Sequence, residues 1–185
     1  MIIGLTALPA AGKGTISAYL VAHYAAKTMR FSDPLRDAIR RFYQDPTRES
    51  MSHLGTFVRN EFGNDILIRT LLQDIEHVEA PVYVLDGMRM FDEYQVLSQR
   101  KDFEMWAVST DIQKRYERII KRDENKSDLA LTFELFQAQH QLPTEVDMPN
   151  LLKRANVTID NNGELARLYQ TVDAQMQRLG IAKRS

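Results

Sequence analysis

The chain has 185 residues, a formal net charge of −1 from 24 basic and 25 acidic residues, and no cysteine. A chain of this length typically folds as one domain and buries about 70% of its unfolded surface. The balanced charge gives no field that would attract nucleic acid or an anionic membrane, so we expect neither as a partner. The lack of cysteine excludes disulfides and thiolate chemistry. With no apolar run near the roughly 20 residues of a membrane span and no signal segment before the first strand pattern, we expect a cytoplasmic protein.

The first part of the chain changes from a strand pattern to a helix pattern across a loop. Ile2, Ile3 and Leu5 predict a short buried strand, and apolar residues at helical spacing from Ile16 to Tyr24 predict a helix. The nine-residue loop between them, residues 7–15, has the sequence ALPAAGKGT. A loop that ends in Gly-Lys at a helix start typically binds phosphate, because backbone N–H groups surround the phosphates and the lysine meets the terminal ones.

The remaining chain alternates short strand patterns with helical ones. Strands are predicted at residues 29–31, 81–86, 103–109 and 157–160. Helices are predicted at residues 35–42, 51–62, 68–75, 91–97, 112–120, 133–141 and 165–176, with residues 142–150 irregular. This alternation predicts an α/β fold whose parallel sheet, of about five strands, is covered on both faces and binds ligands at the carboxyl ends of its strands. We expect one domain over residues 1–185, with a helical insert at 34–75 and a charged segment at 118–150 as lobes.

The loop resembles the Walker A loop in the form found in nucleoside monophosphate kinases, which has a proline within the loop and a glycine after the lysine. Pro9 and Gly14 match those positions. The resemblance implies that Lys13 bridges the β- and γ-phosphates of ATP and that Thr15 offers a hydroxyl to magnesium. It also implies ATP contacts along the loop, at Ala10, Ala11, Gly12, Lys13, Gly14 and Thr15. Ala7 and Ala10 stand where glycines are usual, so neither position is expected to adopt a positive φ cheaply.

Asp86 ends the third predicted strand, which in a parallel sheet lies beside the phosphate loop. A carboxylate there can hold Mg²⁺ directly or through water, and phosphoryl transfer needs its oxygens bridged and neutralised. A strand-end aspartate can also simply cap the following turn. The stretch LDGMR, residues 85–89, looks like the Asp-Gly-Phe-Pro-Arg stretch of adenylate kinases, one residue shorter. That resemblance implies that Arg89 grips the phosphate of the acceptor.

Further acceptor contacts are predicted after the second strand. Residues 32–39, SDPLRDAI, resemble the adenylate kinase segment whose arginine binds the phosphate of the acceptor in a bidentate manner. The resemblance implies the same role for Arg36. Arg59 is a third acceptor candidate, with a surface salt bridge as the alternative. Asp33 is the acid best placed to act as general base toward a hydroxyl acceptor, and a phosphate acceptor needs no such base.

Charged and polar residues late in the chain complete the predicted site. Arg115, Arg118 and Arg122 are spaced three and four residues apart, broadly along one helix face. In nucleotide kinases this region becomes a lid, which implies that Arg118 and Arg122 neutralise the transferred phosphoryl group; a solvated charged face is the alternative. Residues 155–165 are similar to the last strand and turn of dephospho-CoA kinases, which implies that Asn162 and Gly163 lie at the base of ATP.

Together these motifs resemble the P-loop nucleotide kinases. The resemblance implies ATP-dependent, Mg²⁺-dependent transfer of the γ-phosphoryl group to a small nucleotide-like acceptor, with Lys13, Arg89, Arg118 and Arg122 as catalytic residues. The acceptor is predicted to be a nucleoside monophosphate, with the ribose hydroxyl of dephospho-CoA as the alternative. An ATP-binding regulatory protein without kinase activity also stays open, because of the two loop alanines. The chain is expected to be a monomer or a homodimer.

Overall fold

A single parallel sheet forms the centre of the molecule. The computed structural model describes residues 1–121, 131–138 and 148–184. Within them the strands are β1 (Ile2–Thr6), β2 (Lys27–Arg30), β3 (Tyr83–Asp86), β4 (Phe103–Ser109) and β5 (Val157–Asp160). Every pair of neighbours runs parallel, in the order β2-β3-β1-β4-β5. The five-stranded parallel sheet confirms the predicted fold class.

Helices cover both faces of this sheet. They are α1 (Lys13–Tyr24), α2 (Asp33–Arg41), α3 (Arg48–Phe62), α4 (Ile66–Glu76), α5 (Phe91–Ser98), α6 (Ile112–Lys121), α7 (Phe133–Ala138), α8 (Met148–Lys153) and α9 (Leu165–Arg178). Over the described ranges, none of these helices has the length and apolar composition that crossing a bilayer requires. Helices α2, α3 and α4 all lie between β2 and β3 in the chain.

Helix α8 corrects one prediction. Residues 148–150 are helical although the two prolines of residues 142–150 predicted an irregular segment. Pro149 is the second residue of α8, and the first turn of a helix has no intrahelical acceptor for its N–H groups, so a proline there costs no hydrogen bond. Residues 142–147 of the same prediction lie outside the described part of the chain.

The apolar residues of the strands divide into two cores, one on each face of the sheet. One core packs β1, β3, β4 and β5 against α1 and α9, with Leu5, Ile16, Trp106, Ile159 and Val172 among its fully buried side chains. The other packs the opposite face against α4, α5 and α8, with Ile2, Ile68, Leu85, Leu97 and Leu151. Because side chains alternate along a strand, β1 sends Ile2 to one core and Ile3 to the other. The result is the predicted three-layer arrangement.

Two short-range features fix where the helical insert begins. The Asp33 carboxylate accepts a hydrogen bond from the Arg30 backbone N–H at 2.7 Å, which turns the chain from β2 into α2. Helix α3 starts at a reciprocal cap, in which Thr47 and Ser50 each accept from the other's backbone N–H at 3.0 Å. Such caps supply acceptors for N–H groups that the first helical turn leaves unpaired. The helical segment therefore begins directly after the carboxyl end of β2.

Candidate functional site

The carboxyl ends of β1, β2 and β3 bring a lysine and an aspartate together. In the sheet register Asp86 lies opposite Leu5 on one side and Arg30 on the other. The Lys13 ammonium lies 4.0 Å from Asp86 Oδ1 and donates to the Ala7 carbonyl at 3.5 Å. The predicted juxtaposition of the loop lysine and the strand-end carboxylate is therefore present in the folded chain.

The phosphate loop turns into α1 through two residues with positive φ. Gly12 has a φ of 105° at the N-cap of α1, as its lack of a side chain permits. Ala10 also adopts the left-handed region, with a φ of 60°, whereas Ala7 does not. The loop thus keeps a conformation that would suit glycine at position 10, and the Ala10 methyl raises its free energy by about 1–2 kcal/mol.

Side chains behind the loop hold its carbonyl groups. The Ala11 carbonyl accepts hydrogen bonds from Asn161 Nδ2 at 2.8 Å, Thr110 Oγ1 at 2.9 Å and Arg118 Nη1 at 3.4 Å. A trans peptide points its C=O and N–H in opposite directions. The Gly12 N–H is therefore turned away from these three side chains, as phosphate binding by backbone N–H groups requires.

Asn161 is a site residue that the sequence did not reveal. It is the first residue after β5 and is buried, and a Cβ on Gly12 would lie 2.2 Å from its Nδ2 atom. The glycine is therefore needed for its φ and also for the space that the asparagine occupies. The available signal was its position, because the residue that follows β5 lies at the same sheet edge as the phosphate loop.

The arginines of α6 have distinct positions. Arg118 Nη2 donates to the Asn161 carbonyl at 2.9 Å, which keeps its guanidinium against the phosphate loop. Arg115 is only 3% exposed, donates to the carbonyls of Thr110 and Pro9, and burial lowers its pKa. Arg115 therefore supports the loop from behind. Arg122, the other predicted lid arginine, lies outside the described residues.

A cavity of about 700 Å³ opens on residues 10–15 of the loop, and we call it the donor cavity after the ATP contacts predicted for those residues. Its lining comprises Ala10, Ala11, Gly12, Lys13, Gly14, Thr15, Arg30, Asp86, Arg118 and Lys121. All six predicted loop contacts therefore face one space. Gly12, Thr15 and Arg118 also line a smaller neighbouring cavity of about 220 Å³, together with Asn161, Gly163, Leu165 and Leu168.

The two residues predicted near the base of ATP differ in placement. Gly163 lines the smaller cavity, together with the apolar side chains of Leu165 and Leu168. Asn162 instead caps the neighbouring turn: its Oδ1 accepts from the Asp111 backbone N–H at 2.9 Å. Its Nδ2 donates to the Asp160 carboxylate at 2.7 Å.

A second cavity of about 350 Å³ lies between the sheet edge and the helical insert, and we call it the acceptor cavity after the role predicted for Arg59 and Arg89. It is lined by Lys13, Arg30, Phe31, Ser32, Leu35, Arg59, Leu67, Asp86, Gly87 and Arg89. Four cationic side chains and one carboxylate thus face this space, which favours an anionic ligand. The donor and acceptor cavities share Lys13, Arg30 and Asp86.

The predicted acceptor residues divide into two groups. Arg59 and Arg89 line the acceptor cavity, whereas Asp33 and Arg36 are not among the described residues of its wall. The Asp33 carboxylate is engaged by the Arg30 backbone N–H. Arg36 has a buried Nε atom without a hydrogen-bond partner among the described groups. Arg30, which the sequence did not single out, lines both cavities.

Glu93 lies behind Arg59 and Arg89, two of the three arginines that line the acceptor cavity. Its side chain is 1% exposed and accepts the backbone N–H groups of Arg89 and Met90, each at 3.1 Å. The Arg59 Nη2 atom lies 3.4 Å from Glu93 Oε1. Burial raises the pKa of Glu93, and these donors oppose that shift because they favour the ionised form.

The residues at the centre fit a magnesium ion carried by a nucleotide. Asp86 Oδ1 is buried and accepts no hydrogen bond from the described groups, and Thr15 lines the same donor cavity. Mg²⁺ is commonly held by one or two protein oxygens together with phosphate oxygens and water. A lone carboxylate and a hydroxyl therefore suffice. No cluster of three or more metal-binding side chains occurs in the part of the chain that the structure describes.

The chain is similar to known proteins in sequence and in fold. No protein-family model matches the chain. It is 26% identical to a UPF0200 protein of Methanoculleus marisnigri over 97% of both chains, and 25% identical to one of Methanoregula boonei over 89% of both. A crystal structure of TT1252 from Thermus thermophilus matches with a TM-score of 0.59 and 22% identity over 97% of each chain.

Shikimate kinases share the same architecture. The enzyme from Bacteroides thetaiotaomicron matches with a TM-score of 0.64 and 14% identity, over 97% of this chain and 98% of that one. The enzyme from Acinetobacter baumannii, solved with shikimate, matches with a TM-score of 0.57 and 18% identity, over 97% and 93%. The protein therefore has a P-loop kinase-like fold.

Proposed function

We propose that the protein is an ATP-dependent phosphotransferase whose acceptor is a nucleoside monophosphate. One observation carries this proposal: the donor and acceptor cavities meet at Lys13, Arg30 and Asp86. A protein that only bound ATP would need the phosphate loop alone. A second, cation-lined cavity that joins the first at the loop lysine supports transfer between two bound molecules.

The residues of the chain have separable roles in this reaction. Backbone N–H groups of residues 10–15 hold the phosphates of ATP, and Lys13 contacts its β- and γ-phosphates. The bond from the γ-phosphorus to the β-bridging oxygen breaks while an acceptor phosphate oxygen forms a new bond to the γ-phosphorus, so that ADP and a diphosphate leave. Lys13 and Arg30 stabilise the charge on the phosphoryl group in transit. Mg²⁺, held by Thr15 and Asp86, would neutralise the phosphate oxygens.

Arg59 and Arg89 bind the acceptor phosphate. Their guanidinium groups suit a phosphate because planar donors match its oxygens two at a time. The apolar Phe31, Leu35 and Leu67 line the same cavity and would contact the nucleoside. Arg118 and Arg122 keep the role of lid arginines in this proposal, and Gly163 that of a contact to the base of ATP.

The hydroxyl of dephospho-CoA is less well supported as acceptor. A hydroxyl must lose its proton during transfer and so needs a general base. Asp33, the predicted base, accepts the Arg30 backbone N–H and is not among the described residues that line the acceptor cavity. The four cations there suit either acceptor, because dephospho-CoA carries an ionised diphosphate, so the position of Asp33 is what separates the two.

The proposal is tested by incubating the protein with ATP labelled in the γ-phosphate, Mg²⁺, and each of AMP, GMP, CMP, UMP and dephospho-CoA. We expect label to appear in a nucleoside diphosphate. Lys13→Ala should abolish transfer while the circular dichroism spectrum and cooperative unfolding are retained, because the Lys13 side chain belongs to neither of the two apolar cores. Tight ATP binding without transfer to any of these acceptors would refute the kinase proposal and favour the ATP-binding regulatory protein.

A further inference from the structure

The carboxylate of Glu93 occupies an unusual position for a charged group. Its side chain is 1% exposed, and Glu93 is not among the described residues that line the donor or the acceptor cavity. Burying a carboxylate is costly unless donors compensate for the lost water. The fold bears this cost beside the acceptor cavity, where the position of two arginines matters.

The contacts of Glu93 join two separate parts of the chain. Its Oε2 atom accepts the backbone N–H groups of Arg89 and Met90, which belong to the segment between β3 and α5. Its Oε1 atom faces Arg59 Nη2 at 3.4 Å, and Arg59 belongs to α3 of the helical insert. One carboxylate thus ties the insert to the sheet edge at the acceptor cavity.

The arrangement leaves part of the Arg59 guanidinium available. Arg59 Nε is buried without a hydrogen-bond partner among the described groups, although its Nη2 faces Glu93. An unpaired buried donor is costly, and an anion in the adjoining cavity would satisfy it. Glu93 therefore holds the Arg59 guanidinium through its Nη2 atom, and the Nε–H group remains for a ligand.

We propose that Glu93 is a positioning residue that fixes Arg59 and the Arg89 segment at the spacing needed to grip the acceptor phosphate. This inference rests on the proposed function for the identity of the acceptor. Glu93 does not touch the acceptor and acts through the two arginines. None of the residues that Glu93 contacts, which are Arg59, Arg89 and Met90, lines the donor cavity, so we expect ATP binding to be independent of Glu93.

The test measures binding as well as transfer, for wild type, Glu93→Gln and Asp92→Asn. Glutamine keeps the size of the glutamate and removes the charge that restrains Arg59. Asp92 precedes Glu93 on α5, and its carboxylate accepts from Asn64 Nδ2 at 2.9 Å, away from the acceptor cavity, so it is the matched control. AMP, GMP, CMP and UMP are titrated by calorimetry, and ATP is titrated in parallel.

We expect Glu93→Gln to weaken monophosphate binding about tenfold or more, the range for a lost charged hydrogen bond, and to leave ATP binding within twofold. In transfer assays the KM for the acceptor should rise by the same factor while the KM for ATP is unchanged. Asp92→Asn should behave as wild type. Equal monophosphate affinity for Glu93→Gln and wild type, or an equal loss for Asp92→Asn, would overturn the inference.

A double-mutant cycle separates positioning from a general effect on folding. If Glu93 acts through Arg59, then Arg59→Gln should weaken monophosphate binding, and adding Glu93→Gln to it should weaken binding by much less than tenfold. Fully multiplicative losses would contradict this. Wild type that binds a monophosphate but transfers nothing would refute the proposed function alone. Wild type that binds none of the four would refute both.

Discussion

Replacing Ala10 or Ala7 of the loop with glycine should change the stability of the protein in opposite directions, because only Ala10 has a left-handed backbone conformation. Ala10 has a φ of 60°, a conformation in which its methyl approaches the following carbonyl oxygen. Replacing Ala10 with glycine removes that contact. Ala7 stands in the same loop without a positive φ and is buried, so it serves as the matched control.

The expected changes in the free energy of unfolding differ in sign. For Ala10→Gly the relief of about 1–2 kcal/mol exceeds the roughly 0.4–1 kcal/mol that the freer unfolded glycine costs, which gives a net stabilisation of about 0.5–1 kcal/mol. For Ala7→Gly the same entropic cost adds to the loss of a buried methyl, about 0.8 kcal/mol, so the variant should be destabilised by about 1–2 kcal/mol.

Urea unfolding of both variants, followed by circular dichroism without nucleotide, measures this difference. The separation of about 2 kcal/mol should also appear as a difference of about 4–8 °C in Tm for a chain of this size. If Ala10→Gly proves less stable than wild type by 1 kcal/mol or more, the strain assigned to Ala10 is refuted. If both variants lose stability equally, the backbone difference between the two positions has no energetic consequence.

Two further predictions concern the acceptor and the response to acid. Asp33→Asn should leave transfer to a nucleoside monophosphate within about fivefold, whereas loss of a general base costs a hundredfold or more, and a loss that large would mark a hydroxyl acceptor. Glu104 accepts hydrogen bonds from Arg178, which lower its pKa below the ordinary 4.5. The stability from this pair is therefore present above pH 4.5 and is lost as the pH falls through the lowered value. Glu104→Gln should lose less unfolding free energy than wild type between pH 7 and pH 3, as urea titrations can measure, and an equal loss would contradict this coupling.

The sequence predicted the secondary structure of this protein more accurately than its side-chain contacts. Strands β4 and β5 have the predicted bounds, and β1 and β3 differ from prediction by one or two residues. These strands are short segments with buried apolar residues, so their local pattern carries the information. Helix α8 was missed because a proline near a helix start has the same local appearance as one in a loop.

The acceptor cavity shows where local patterns stop being informative. Arg89 was predicted from a motif, and it lines the cavity, but Arg30 and Glu93 had no motif to mark them. Arg30 matters because β2 ends next to β3, and Glu93 matters because α5 carries it beneath Arg59 of α3. Each is a contact between segments distant in sequence, which periodicity and short motifs do not record.

The sequence by itself determined the α/β alternation and the phosphate loop, because both depend on short-range properties: apolar period, helix start and the Gly-Lys pair. Only the tertiary structure decided that Asn161 holds the Ala11 carbonyl and occupies the space beside Gly12. It also decided that two cavities meet at Lys13 and Asp86. The parallel direction of the strands sets both results, because it brings the carboxyl ends of β1, β3 and β5 to one edge of the sheet.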